Sequence, residues 1–223
     1  MKRSETSRGA KGAATMLFAF GLSLRIVHAN ETGPFAGSAG VPAGGDFPAE
    51  VTCSSSGCHE TFPLNADKAG KIEILNLPDK YEPGRRYSLT FRITDPESDR
   101  RRWGFQVTAV AKDTFLRAGD LVVTDEKNTQ VIGGGFGNRQ YVEHTMAGTA
   151  VGRTGGHGWS FDWIAPKTNV GDVAFYGGGN AANADGSNAG DKIYNPTPNP
   201  IALVKGPEDT ALRCHGPGHE SAS

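Results

Sequence analysis

The chain has 223 residues, 23 Lys and Arg against 24 Asp and Glu, long enough for one sizeable core and close to neutral overall. Apolar residues make up 37% and charged ones 21%, while 31 Gly and 13 Pro supply many turns, a balance that suits a soluble, loop-rich β protein and argues against a helical bundle. The chain has no excess of Lys and Arg over Asp and Glu, and phosphate binding depends on clustered basic residues, so no nucleic acid is expected as a partner.

Residues 1–29 carry Lys2, Arg3, Arg8 and Lys11 ahead of an apolar run from Ala13 to Leu24, followed by the small-residue exit Val27-His28-Ala29. This is the order of a secretory signal peptide, and cleavage is expected after Ala29. The apolar run is shorter than the ~20 residues a bilayer needs, and Arg25 interrupts it. Cleavage leaves 18 basic and 23 acidic residues, a formal charge of −5. No second transmembrane run follows, so the mature chain is expected in the periplasm, outside the cell or at its surface.

Residues 30–70 form the next unit. Its first part, "NETGPFAGSAGVPAGGDFPAEVT" (30–52), has neither helical nor strand periodicity and reads as an extended leader along the domain surface. From residue 71 to about 205 the texture changes. "KIEILNL", "YSLTFRIT", "WGFQVTAVA", "YVEHTMA", "WSFDWIAP" and "VAFYGGGNAAN" alternate apolar and polar residues, separated by turn signals such as "DPESD", "GGGFGN" and "DGSNAGD". The pattern predicts an all-β antiparallel sandwich with one face of each strand in a shared core. Arg100-Arg101-Arg102 is expected as a solvated turn, with docking of an acidic partner protein as the alternative. A last strand is expected around Ile201–Val204, and residues 206–223 as a loosely held tail.

The chemistry is concentrated in "EVTCSSSGCHE" (50–60), where Cys53 and Cys58 are followed directly by His59. Covalent haem needs two thiols to add across the porphyrin vinyl groups and a histidine just after the second thiol to reach the iron. The common spacing is Cys-x-x-Cys-His; the Ser-Ser-Ser-Gly insert here makes a longer variant in which the Cys58-His59 junction is kept. Export fits, because covalent haem is attached outside the bacterial inner membrane. Two other readings stay open: a small Cys53–Cys58 disulfide loop, which gains little loop entropy, and half of a zinc site, for which the only spare pair is the distant Cys214-His215.

With His59 as the proximal ligand, the sixth iron position separates electron transfer from ligand binding or peroxide chemistry. If residues 141–147 form a strand, His144 and Met146 share a face, so His144 is the expected distal ligand and Met146 the alternative. His157 sits in the Gly-rich "RTGGHGWS" and is a poorer candidate because ordering a loop costs entropy. Cys214-His215 resembles a one-thioether site without its first cysteine and is not counted as a second haem.

Other signals have simpler explanations. "GGGFGN" (133–138) lacks the Lys-Ser/Thr of a phosphate loop and reads as a hairpin turn. Asn180, Asn183, Asp185, Asn188 and Asp191 could offer oxygen ligands to calcium, but their spacing is not that of an EF-hand and turn formation is the expected role. Trp103, Trp159 and Trp163 are expected in the sandwich core or at its rim, one of them able to pack on a porphyrin edge.

Taken together, "GPFAGSAGVPAGGDFPAEVTCSSSGCHE", "YEPGRRYSLTFRI", "WGFQVTAV", "YVEHTMAG", "WSFDWIAP" and "VAFYGGGNAANADGSNAGDKIY", in this order over roughly residues 33–194, resemble the bacterial Reeler-type (reelin-domain-like) proteins of the choice-of-anchor V group. The resemblance implies an immunoglobulin-like sandwich, an exported protein with a c-type haem motif in its leader, and His144 at the family's "HT" position; it brings no enzyme activity. The attachment loop is two residues longer than the family's, and the carboxyl-terminal anchoring segment is not evident.

The expected function is therefore an exported monohaem c-type cytochrome: one covalent haem c on Cys53 and Cys58, His59 and His144 on the iron, electrons passed between redox partner proteins, and possible association with a membrane complex or surface. The alternative is a periplasmic or cell-surface binding or adhesion module with a Cys53–Cys58 disulfide. A catalytic haem with an open iron site is the third and least expected reading.

Overall fold

The computed structural model describes residues 31–55, 57–66 and 68–208. Residues 1–29, expected as a signal peptide, and the Cys214-His215 pair lie outside the described residues. Two antiparallel sheets form a sandwich. The strands are β1 (Lys71–Leu75), β2 (Arg86–Thr94), β3 (Arg102–Ala111), β4 (Asp120–Val123), β5 (Thr129–Gly133), β6 (Gln140–His144), β7 (Gly156–Ile164), β8 (Val173–Ala182), β9 (Lys192–Tyr194) and β10 (Ala202–Val204). One sheet runs β1-β2-β7-β4; the other runs β10-β8-β3-β6-β5, with β9 also paired to β8. No helix among the described residues is long and apolar enough to cross a membrane.

Alternation in the sequence explains the smaller sheet. In β2, Leu89, Phe91 and Ile93 are buried while Ser88, Thr90 and Arg92 between them are more open; in β7, Trp159, Phe161 and Trp163 turn inward. Period-two patterning places these residues on one face, and that face meets Trp103, Phe105, Val107 and Phe175 of the larger sheet. All three tryptophans are core residues, each with its indole N–H on a backbone carbonyl: Trp103 on Arg153, Trp159 on Gly148, Trp163 on Ala118. Burying an indole without such an acceptor would leave its donor unpaired.

The larger sheet is covered on its outer face too. Ala39 and Val41 of the leader are completely buried and pack with Val110, Tyr141, Ala174 and Tyr176. The Ser38 amide donates to Gln106 Oε1 (2.9 Å), Gln106 Nε2 donates to the Phe35 carbonyl (3.1 Å), and Asn195 Nδ2 donates to the Ala39 carbonyl (3.0 Å). Glu50 forms an ion pair with the fully buried Arg139 (2.5 Å), and the Tyr141 hydroxyl donates to the same carboxylate oxygen (2.6 Å). The leader, expected merely to lie along the surface, is thus a third layer, because β3, β6 and β8 present apolar and amide side chains outward that need cover.

Three local expectations are corrected. Arg100 is not solvated: it is 4% exposed and donates to Asp99 and to the carbonyls of Ala181 and Gly190. It turns inward because it closes the junction between β3, the end of β8 and the 183–191 loop. The strand over 141–147 stops at His144; Met146 stands in the turn that follows, helical in backbone angles and 54% exposed, so the two do not share a strand face. His157 lies within β7 rather than in a loop, its ring edge-on to Trp159 at 4.6 Å. The hairpin reading of residues 133–138 holds, since they connect β5 to β6.

Candidate functional site

β6 pairs with β3 only at Glu143–Gln106 and Val142–Val107, whereas β3 begins earlier, at Arg102. The start of β3 therefore has no strand beside it on that edge. A cleft with a cavity volume of about 140 Å³ opens there. Cys53, Cys58, His59 and His144 all line it. Its apolar wall includes Phe35, Trp103 and Phe105, and Phe105 stacks on Trp159 behind it with ring centroids 4.4 Å apart.

The Cys53–His59 loop is shaped by its own short-range bonds. The Ser55 amide donates to the Thr52 carbonyl, the Cys58 amide to Ser55, and the His59 amide to Cys53 at 3.0 Å. Gly57 takes a positive φ of 85°, a left-handed turn that a residue with a Cβ enters only at a cost, which is why the insert ends in glycine. Both cysteines are free thiols. Burial, with Cys58 nearby, pushes the Cys53 thiol up to about 12, so it is protonated at neutral pH.

A second loop from the far end of the sequence grips the first. Asn188 Nδ2 donates to the Cys58 carbonyl, and the Gly190 amide donates to Thr61 Oγ1 (2.8 Å). Asp191, with a fully buried side chain, accepts from His59 Nδ1 at 2.8 Å and through its other oxygen from the Asn183 amide at 3.1 Å. That bond places the ring proton on Nδ1 and leaves Nε2 as the lone-pair nitrogen, the arrangement of a metal-binding imidazole held by an outer carboxylate. Asn180 Nδ2 lies 3.4 Å from Nε2. Asn180 Oδ1 and Arg102 Nε, both at the cleft, are buried without hydrogen-bond partners.

His144 is held differently. Its Nδ1 is 3.0 Å from the Phe105 amide nitrogen and 3.2 Å from the Phe105 carbonyl oxygen, so the imidazole takes the place of a missing strand partner. The ring lies against β3 because residue 104 is glycine: a Cβ there would stand 2.8 Å from His144 Cε1. Glycine inside a strand marks such a close approach, and this signal in "WGF" was readable in the sequence.

The structure thus gathers four of the five predicted site residues at one cleft. Met146 does not line it. Sequence reasoning missed Asp191, Asn180 and Arg102; the first two were read as turn formers and the third as solvated. Asn183, Asp185 and Ser187 do make the turn, through bonds from the Asp185 amide to Asn183 and from the Ser187 amide to Asp185. Among the described residues, no three His, Cys, Asp or Glu side chains converge closely enough to hold a metal ion directly.

No protein-family model matches the sequence, and no curated protein matches it. Among solved structures, the chain is similar to a human F-spondin reeler domain, with a TM-score of 0.43 and 20% identity, covering 62% of this chain and 89% of that one. The Reelin-N domain of F-spondin gives a TM-score of 0.43 and 21% identity over 63% and 88% of the two chains. The sixth cohesin of Acetivibrio cellulolyticus scaffoldin B, solved with a Cel5 dockerin mutant, gives 0.34 and 11% over 57% and 99%.

Proposed function

We propose that the protein is an exported monohaem c-type cytochrome built on a Reeler-like sandwich, with Cys53 and Cys58 as the residues that would hold haem and His59 and His144 as those that would ligate its iron. The observation that carries this reading is that the attachment motif and His144, far apart in the chain, line one apolar cleft. The residues present fit the group in kind: two unpaired thiols and an adjacent histidine on one loop, a second imidazole seated over Gly104, and buried polar atoms of Arg102 and Asn180 that lack partners.

When bound, haem supplies the one-electron iron couple; the chain supplies ligation, orientation and a low-dielectric wall. Asp191 holds His59 through Nδ1 and leaves Nε2 as the nitrogen that would ligate. The Phe105 amide donates to His144 Nδ1 at 3.0 Å; to ligate through Nε2 the imidazole would have to carry its proton on Nδ1 and exchange that bond for one to the Phe105 carbonyl, 3.2 Å away. Two imidazoles favour a low reduction potential and electron transfer over ligand binding. Asn180 Nδ2, near His59 Nε2, must yield when that nitrogen ligates.

The test is haem staining on denaturing gels, with oxidised and reduced absorption spectra, of wild type and His144→Ala matured in a host with haem c assembly machinery. Covalent stain in both, with a six-coordinate low-spin spectrum that becomes high-spin in the variant, is expected. Absence of stain in wild type would overturn the reading.

The second reading, a surface binding module closed by a Cys53–Cys58 disulfide, is favoured by the tight hydrogen-bonded turn that carries both cysteines and by Phe35, which lines the cleft while 58% exposed. Such a cleft suits a small apolar ligand. A protein without stain and lighter by two hydrogens than the dithiol form would support it.

A further inference from the structure

The cleft contains a cation whose role the reading above leaves open. Arg102, the first residue of β3, is the one Arg or Lys among the described residues that line the cleft. Its Nη1 donates to Glu31 Oε1 at 2.6 Å. Its Nε is buried and has no hydrogen-bond partner. A guanidinium offers a carboxylate two parallel donors along its Nε–Nη2 edge; Glu31 meets the other side through Nη1, so the side-on edge is not used by it. A buried N–H donor without an acceptor is costly, and its cost is relieved when a ligand brings an acceptor.

We propose that Arg102 anchors a ligand carboxylate in the cleft, and that this carboxylate is a haem propionate. The proposal rests on the haem reading. A haem that Cys53 and Cys58 would hold through its vinyl groups carries its two propionates at another edge of the ring, and these anions need a cationic or solvated environment. Arg102 is the cation the cleft provides. Glu31 serves as the internal stand-in: it neutralises Arg102 while the cleft holds no carboxylate and competes with an incoming one.

The test compares two probes on the full mature chain made without haem assembly machinery: ferric protoporphyrin IX and its dimethyl ester, titrated by absorbance. Wild type is expected to bind the free acid about tenfold or more tightly than the ester, as a charge-assisted bidentate pair implies. Arg102→Gln should bring the two probes to equal affinity by weakening the acid alone, and Arg102→Lys should restore only part of the preference because it keeps charge without the fork. Glu31→Gln should tighten the acid and leave the ester unchanged. His144→Ala should weaken both probes equally, which separates iron ligation from carboxylate anchoring. Circular dichroism of each variant establishes that the sandwich has formed. If wild type binds both probes and the preference is the same in Arg102→Gln, the anchor is overturned and the haem reading stands. If wild type binds neither probe and the matured protein takes no haem stain, both fall.

Discussion

Asp191 Oδ2 lies 2.8 Å from His59 Nδ1, joining the 183–191 loop to the histidine of the Cys53–His59 loop, with the carboxylate fully buried. The bond fixes which ring nitrogen faces the cleft. Asp191→Asn keeps an acceptor for the Asn183 amide but removes the charge opposite His59. If haem is bound as proposed, the equilibrium constant of the His59–iron bond is expected to fall on the order of 10- to 100-fold, read as a high-spin fraction in the ferric spectrum. A spectrum identical to wild type would show that His59 does not depend on Asp191.

Gly104 makes the seat for His144. An alanine there would place Cβ 2.8 Å from His144 Cε1, inside ordinary carbon contact. Gly104→Ala is expected to displace the imidazole and give a high-spin signal like that of His144→Ala, with covalent staining at Cys53 and Cys58 unchanged. Overpacking of this kind costs about 1–3 kcal/mol, measurable as a lowered urea midpoint.

The leader is pinned by a buried ion pair. Glu50 and Arg139 are about 1% and 0% exposed, and the Tyr141 hydroxyl shares the Glu50 carboxylate. Burial and that carboxylate raise Tyr141 above the ordinary phenol range. Glu50→Ala leaves Arg139 charged and without its counter-ion, so a loss of about 3–5 kcal/mol is expected on urea unfolding. Replacing both with apolar residues of similar size should cost less than the single change. Hydrogen exchange in residues 35–50 should rise in Glu50→Ala before it rises in β3.

Glu143 gives the fold a pH dependence. Burial raises it from 4.5 to about 7, while hydrogen bonds from Gln106 and Gln130 pull the other way. A carboxyl that binds its proton more tightly when folded contributes stability that is fully present below about 4.5 and is lost as pH rises through about 7. Urea midpoints should therefore decline between about pH 5 and pH 8 in wild type, and this part of the decline should disappear in Glu143→Gln.

Much of this molecule was legible in residue order. Alternation in "YSLTFRIT" and "WSFDWIAP" placed Leu89, Phe91, Trp159 and Phe161 in the core because a strand's two faces differ at every step. The Cys53–His59 motif was local and needed no fold to be seen. Arg100 and Arg102 were misread because a basic triplet after "DPES" carries no trace of what will pack on it. Met146 was placed wrongly because alternation does not reveal where a strand stops.

Residue order alone carries the local features: strand faces, turns, the cysteine–histidine motif and the positions of glycine. These depend on backbone geometry and side-chain chemistry within a few residues. Tertiary structure alone decided that β6 ends early beside β3, that the 183–191 loop grips the attachment loop, and that Asp191, Arg102 and His144 meet the motif in one cleft. Those contacts depend on strand order and register across the whole chain, where each choice is made by the burial of the entire sheet and not by the residues that end up in contact.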